Sequence, residues 1–244
     1  MGKQFWKPGN MLYPLPAVMV SCQRKEEKPN IITVAWVGTV CTDPAMVFVS
    51  IRPQRYSYDI IRETGEFVIN LTTEQLTRAA DYCGVRSGRD VDKFQEMHLT
   101  PCTSRNVSAP GIMESPVNIE CKVKEIIKLG SHDMFLAEVV GVDVDEECLD
   151  ENGKFHLNET GLIAYSHGEY FSLGDYVGKF GYSVRKKVQE KGPKDKAKKP
   201  NKQKIKRQSR ELKGKVPRDK TQTEKRLQSH RKALRDPSKS KKPQ

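Results

Sequence analysis

The sequence predicts a mainly β domain with inserted helices, closed into a barrel and followed by a basic tail. Three observations carry that prediction. Short runs rich in β-branched and aromatic residues recur through the first three quarters of the chain, as in Asn30-Ile-Ile-Thr33-Val-Ala35-Trp36 and Val47-Phe-Val-Ser50-Ile-Arg52. Helical periodicity is confined to short stretches between them, which fits a barrel better than alternating βαβ units. The charge then changes sign: residues 1–184 hold 18 Lys/Arg and 25 Asp/Glu, a net −7, whereas residues 185–244 hold 25 and 6, a net +19. All Phe, Tyr and Trp precede that boundary. The predicted organisation is one globular domain over 1–184 and a low-complexity tail over 185–244. The tail has too few apolar groups to offset the entropy of ordering, so composition predicts disorder there.

In chain order, residues 5–16 are proline-rich and irregular. Residues 17–22 read as a strand, polar 23–29 as a long turn, and 31–40 as the returning strand. Thr42-Asp-Pro44 turns into an apolar run over 46–51, of the kind buried on both faces. Ser57 is placed to cap a short helix over 58–64, which Gly65 stops. Residues 66–71 read as a strand. Residues 73–82 carry apolar side chains at three-to-four spacing, a helix capped by Thr72 or Thr73 and ended by Gly84. A glycine-bearing loop over 85–90 leads to a further helical turn over 91–97. Residues 98–114 read as loop with short extended pieces. Residues 117–124 alternate apolar and polar, a half-buried strand, with 132–144 as its partner across Leu129-Gly130-Ser131. Glycine- and aromatic-rich chain over 162–181 closes the globular part.

Several function classes drop out. The six cysteines are scattered, without CxxC spacing. No leader segment opens the sequence and no apolar run approaches membrane-spanning length. The expectation is reduced thiols in a cytoplasmic protein with no membrane association. The five histidines lack ligand spacing to one another or to cysteine, so no metal site is expected. No catalytic triad or dinucleotide-binding glycine loop is present. Arg55 and Ser57 do flank a helix start, where free N–H groups and the dipole favour an anion. Alone, they read equally as a solvated arginine and a routine cap.

Six words in order change that weighting: Asn30 to Trp36, Ser50-Ile51-Arg52, Arg55-Tyr56-Ser57-Tyr58, Glu66-Phe-Val-Ile-Asn70, Cys83-Gly84-Val-Arg-Ser87-Gly88 and Asp92-Lys93-Phe94. Together they resemble the flavin reductase-like family, in its flavoredoxin-like branch. The resemblance implies an FMN-binding split β-barrel, assembled as a homodimer. It implies an oxidoreductase in which FMN takes electrons from NAD(P)H or a redox protein and passes them to free flavin, iron or another redox partner. Arg55 and Ser57 would hold the FMN phosphate, joined by Thr33 and Lys93, and Asn30 would be a further cofactor contact. Val34, Ala35, Ser50, Ile51 and Arg52 would line the flavin ring, Arg52 favouring the negative charge a flavin gains on reduction. Cys83, Ser87 and Gly88 would form a loop at the cofactor, and His167 would approach the ring. No catalytic side chain is implied, because the flavin carries the chemistry.

Each of these has a plainer reading. Cys83 reads also as a buried, inert thiol, and Gly84 as a helix stop. Arg52 reads as a surface ion pair, Trp36 as core, and His167 as a hydrogen-bonded edge residue. Pyridoxamine-phosphate oxidases share the architecture, but the Cys83 and Asp92-Lys93-Phe94 words separate the chain from them. The tail supports a second function class. Its charge suits nonspecific contact with nucleic acid or ribosomes, and its lack of aromatics argues against base stacking. In that class the barrel is a scaffold.

Overall fold

In a computed structural model, which describes residues 1–185, the β-branched runs pair as antiparallel strands. Leu15–Pro16 forms β1, Val18–Cys22 β2 and Asn30–Val34 β3. β2 and β3 make the expected hairpin, with Val20 opposite Ile32. The apolar run continues past Val34, yet the chain bends at Ala35-Trp36 and Val37–Thr42 forms a separate strand, β4. The single strand expected over 31–40 is therefore two. Ala45–Ile51 (β5) pairs with β4. Val47, Val49 and Ile51 are buried while Met46, Phe48 and Ser50 are half-buried, so β5 fully buries one face rather than both.

Helix α1 spans Tyr56–Thr64, with Arg55 at its N-cap. Ser57 lies inside the helix and is not the cap. Gly65 stops the helix at φ 69°, its N–H donating to the Ile61 carbonyl, a left-handed conformation suited to glycine. Glu66–Leu71 (β6) follows as expected. Helix α2 spans Thr77–Val85, starting later than expected because Thr73 is held in a bridge to Leu162. Gly84 lies within α2 and does not end it. A Cβ there would come within 3.3 Å of the Thr33 Cβ, so the missing side chain lets α2 lie close to β3. Asp92 caps α3, Lys93–Glu96, by accepting from the Gln95 N–H at 3.2 Å.

Pro101–Cys102 (β7) and Gly111–Ile112 (β8) form a minimal pair. Val117–Lys128 (β9) and Asp133–Val144 (β10) form a long hairpin. Ile163–Ser166 (β11) and Glu169–Ser172 (β12) join β1 in a three-stranded sheet.

The main sheet runs β3-β2-β6-β9-β10-β5-β4. Its two edge strands, β3 and β4, are consecutive in sequence and separated only by Ala35-Trp36. The sheet must therefore curl until its edges meet, giving a barrel split along that seam. Ser50 N–H donates to the Trp36 carbonyl at 2.8 Å, extending the β4–β5 pairing to the edge of the seam. The barrel is filled by a cluster including Val20, Val49, Ile61, Phe67 and Phe135. Burying each such large side chain contributes about 1.5–3 kcal/mol. A second cluster, including Met19, Ile31, Ala80 and Phe94, seats α2 and α3 on the outside of β2 and β3. No helix among the described residues is long and apolar enough to cross a membrane. One compact unit spans Met1–Gly178. A second begins at Lys179, and its described part holds a single 3-10 turn, Tyr182–Val184. Apart from Arg185, the tail expected over 185–244 lies outside the described residues.

Candidate functional site

Two cavities adjoin on the outside of the seam, sharing Ile32 and Arg55. The smaller, about 210 Å³, lies between the start of β3, the start of α1 and the loop after α2. Its floor is polar and locked. Asn30 and Ser57 are both buried, and Asn30 Nδ2 donates to Ser57 Oγ at 2.7 Å. Lys93 is also buried, and its Nζ donates to the carbonyls of Ile31 at 2.6 Å and Cys83 at 2.7 Å. That uses two of the three ammonium protons. Burial lowers the Lys93 pKa to about 8. Gly88 closes the loop over this floor. A Cβ at Gly88 would lie 2.0 Å from Asn30 Oδ1 and 2.7 Å from Tyr56 Cδ1, so only glycine fits.

The walls are cationic. Arg55, Arg86 and Arg89 join Lys93 around the cavity. Arg89 donates to the Gln54 carbonyl at 3.2 Å and lies 5.3 Å over the Tyr56 ring. Among the described residues, none of these four cations has a carboxylate within salt-bridge distance. Four uncompensated cations around one cavity make an anion site. Cys83 lines it as an inert thiol, its pKa pushed up to about 11 by burial.

The larger cavity, about 590 Å³, opens beside the first. The seam supplies Val34, Ala35 and Trp36, and the end of β5 supplies Ser50, Ile51 and Arg52. Trp36 is half-buried; it packs against the core and also faces the cavity, so it is not core alone. The β9–β10 turn adds Ser131 and His132. The rings of Trp36 and His132 are parallel within 2°, with centroids 6.0 Å apart. Arg52 Nε donates to His132 Nε2 at 3.4 Å, and His132 Nδ1 lies 2.9 Å from Ser131 Oγ. The arginine can only donate, so Nε2 accepts and the ring proton sits on Nδ1. Burial, together with Arg52 and Arg55, lowers the His132 pKa and favours the neutral ring. On the opposite side, Tyr170 Oη donates to Asp81 Oδ1 at 3.3 Å, tying the β11–β12 hairpin to α2. Tyr165 and Gly168 extend that wall.

The structure thus brings Asn30, Arg55, Ser57, Cys83, Ser87, Gly88 and Lys93 to the smaller cavity. It brings Thr33, Val34, Ala35, Ser50, Ile51 and Arg52 to the larger one, with Arg55 lining both. Thr33 is not at the anion site, and its hydroxyl is bonded to the Ala80 carbonyl. His167 lines neither cavity. With Gly168 it forms the left-handed two-residue turn between β11 and β12, at φ 51° and 90°, where it is exposed and packs on the Tyr13 ring. Sequence reasoning missed Arg86, Arg89, His132, Asp81 and Tyr170. Arg86 and Arg89 carried a readable signal, since both flank Ser87-Gly88 in a short loop. The other three come from elements far apart in sequence.

The residues present suit a planar group with a phosphate tail: the smaller cavity offers cations, and the larger one strand-end backbone and aromatic walls. The comparisons with known proteins point the same way. Residues 11–174 match the model of the flavin reductase like domain. A relative from Archaeoglobus fulgidus is 32% identical over 161 residues, covering 66% of this chain and 89% of that protein. Flavoredoxin of Desulfovibrio vulgaris (Miyazaki F) superposes with a TM-score of 0.70 at 32% identity, covering 75% of this chain and all of that one. An FMN-binding protein from Thermus thermophilus, solved with bound 1-cyclohex-2-enone, superposes with a TM-score of 0.61 at 26% identity, covering 73% of this chain and 98% of that one. The match over most of the compact unit places the chain in the flavin reductase-like domain family.

Proposed function

We propose that the protein is an FMN-dependent oxidoreductase that passes electrons from NAD(P)H or a redox protein to an acceptor such as free flavin, iron or another redox protein. One observation carries the reading: among the described residues, four cations without carboxylate partners surround a cavity that adjoins a larger one lined by strand-end backbone and the Trp36 and His132 rings. Bound FMN supplies hydride acceptance and electron release. The chain supplies binding, orientation and charge. Arg55 gives the phosphate a guanidinium at the α1 start, where the helix dipole adds to it. Ser57, Ser87, Gly88 and Lys93 complete the grip, with Arg86 and Arg89 at the rim. Thr33, Val34, Ala35, Ser50 and Ile51 hold the ring edge. Arg52 faces the ring with its charge uncompensated by a carboxylate and favours negative charge there.

The split of labour is residues 1–184 for flavin chemistry and 185–244 as a separable extension. A homodimer is supported by the exposed apolar side chains Phe5, Trp6 and Leu12 on the irregular N-terminal segment. A cytoplasmic location is supported by six free cysteines. Protein incubated with FMN and then freed of excess flavin should keep its colour, and anaerobic NADH or NADPH should bleach it. Protein that stays colourless contradicts the reading.

The +19 charge of the tail favours a second reading, contact with nucleic acid or ribosomes. Filter binding to RNA should weaken when residues 185–244 are removed. Equal affinity for both chains contradicts a role for the tail.

A further inference from the structure

Asn30 opens β3 and is 4% exposed; Ser57 is 1% exposed. A serine hydroxyl has one proton to give and two lone pairs to receive. Asn30 Nδ2 fills one lone pair at 2.7 Å. On its other side, Asn30 Oδ1 lies toward Gly88, where a Cβ would stand only 2.0 Å away, while Nδ2 lies toward Ser57. Because Asn30 donates, the Ser57 proton must point elsewhere. One neighbour is the Cys22 thiol, whose pKa burial pushes up to about 12 even though the Ser57 hydroxyl beside it works the other way. A neutral thiol is a weak acceptor, and Cys22 gives its own proton to the Asn30 carbonyl at 3.8 Å. The other neighbour is the smaller cavity, which Ser57 lines. Among the described residues, the third proton of Lys93 also has no partner, the first two being held by Ile31 and Cys83.

We propose that Asn30 is a positioning residue: by donating to Ser57 Oγ, it turns the Ser57 hydroxyl proton into the smaller cavity as a hydrogen-bond donor to a bound phosphate. Asn30 acts through Ser57. The start of β3 therefore sets the polarity of the site twice, through the Asn30 side chain and through the Ile31 carbonyl that holds Lys93. The inference rests on the flavin reading only for the identity of the phosphate's carrier.

The test compares the wild-type chain with Asn30→Ala, Ser57→Ala and the double variant, titrated by calorimetry with FMN, riboflavin and inorganic phosphate. Each single change should weaken FMN binding by about 10-fold, as loss of a hydrogen bond to a charged group does. Riboflavin, which lacks the phosphate, should bind within about twofold of wild type. The double variant should be no weaker than either single one, because both remove the same donor. Equal losses for FMN and riboflavin overturn the proposal, and so do losses that add in full. Should Asn30→Ala fail to fold, the isosteric Asn30→Asp takes its place. The carboxylate accepts instead of donating and draws the Ser57 proton away, so FMN affinity at the wild-type level overturns the proposal. Wild-type protein that binds inorganic phosphate but not FMN contradicts the flavin reading alone, and the same cycle is then read with phosphate. Binding of neither contradicts both.

Discussion

The two cavities are built by different means. The smaller is a set of buried polar side chains that hold one another: Asn30 on Ser57, Lys93 on two carbonyls, Gly88 packed over both Asn30 and Tyr56. The larger is a meeting of strand ends and half-buried rings from separate parts of the chain. A site for a charged, compact group has to be preorganised, because each buried donor left without a partner costs about 1–3 kcal/mol. A site for a planar ring needs shape and a few oriented charges, and it tolerates looser walls. The grip on the phosphate is therefore expected to be steep and sensitive to single atoms. The ring face is expected to be shallow and distributed.

The largest effect that would break this contrast is at Arg55. Arg55→Ala should weaken FMN binding by about 1.5–3 kcal/mol and riboflavin binding far less, measured by flavin fluorescence titration. Next comes Gly88→Ala. The added methyl overlaps Asn30 Oδ1 and Tyr56 Cδ1, so thermal unfolding should show a loss of about 1–3 kcal/mol, with FMN affinity falling alongside.

The third effect is a pH dependence with two opposite signs, both from Lys93. Its folded pKa is lowered from 10.5 to about 8, so the unfolded chain holds that proton more tightly. The Lys93 contribution to stability without ligand therefore rises with pH between about 8 and 10.5, and is lost as pH falls through that window. A bound phosphate favours the charged ammonium. FMN affinity should therefore fall as pH rises above about 8, by no more than about 1.4 kcal/mol per pH unit. Lys93→Met should flatten the Lys93-dependent part of both profiles. The smallest effect belongs to the ring face. His132→Ala removes one wall and its bond to Arg52, and should cost about 0.5–1.5 kcal/mol for FMN and riboflavin alike.

The same contrast explains what was legible in the sequence. The smaller cavity is assembled from local words: a strand start at Asn30, a helix start at Arg55 and Ser57, and a glycine loop beside a capped turn at Asp92-Lys93. Local patterns also carry β6 and the stop at Gly65. The bend at Ala35-Trp36 was not legible, because the apolar run is continuous there and the break is imposed by barrel closure. The late start of α2 follows from a bridge between Thr73 and Leu162, which no window around Thr73 contains. Arg52 and His132 are 80 residues apart, and Asp81 and Tyr170 are 89 apart. Their meeting depends on sheet order, which periodicity does not specify. Ser57 is not the helix cap its position suggests: it lines the smaller cavity from inside the helix and caps nothing.

The most direct measurement is the stoichiometry and affinity of FMN against riboflavin on the full chain, with Arg55→Ala alongside. The account predicts one FMN per chain, a clear preference for FMN over riboflavin, and loss of that preference in the variant. Protein that binds no flavin, or binds both flavins equally with and without Arg55, contradicts it.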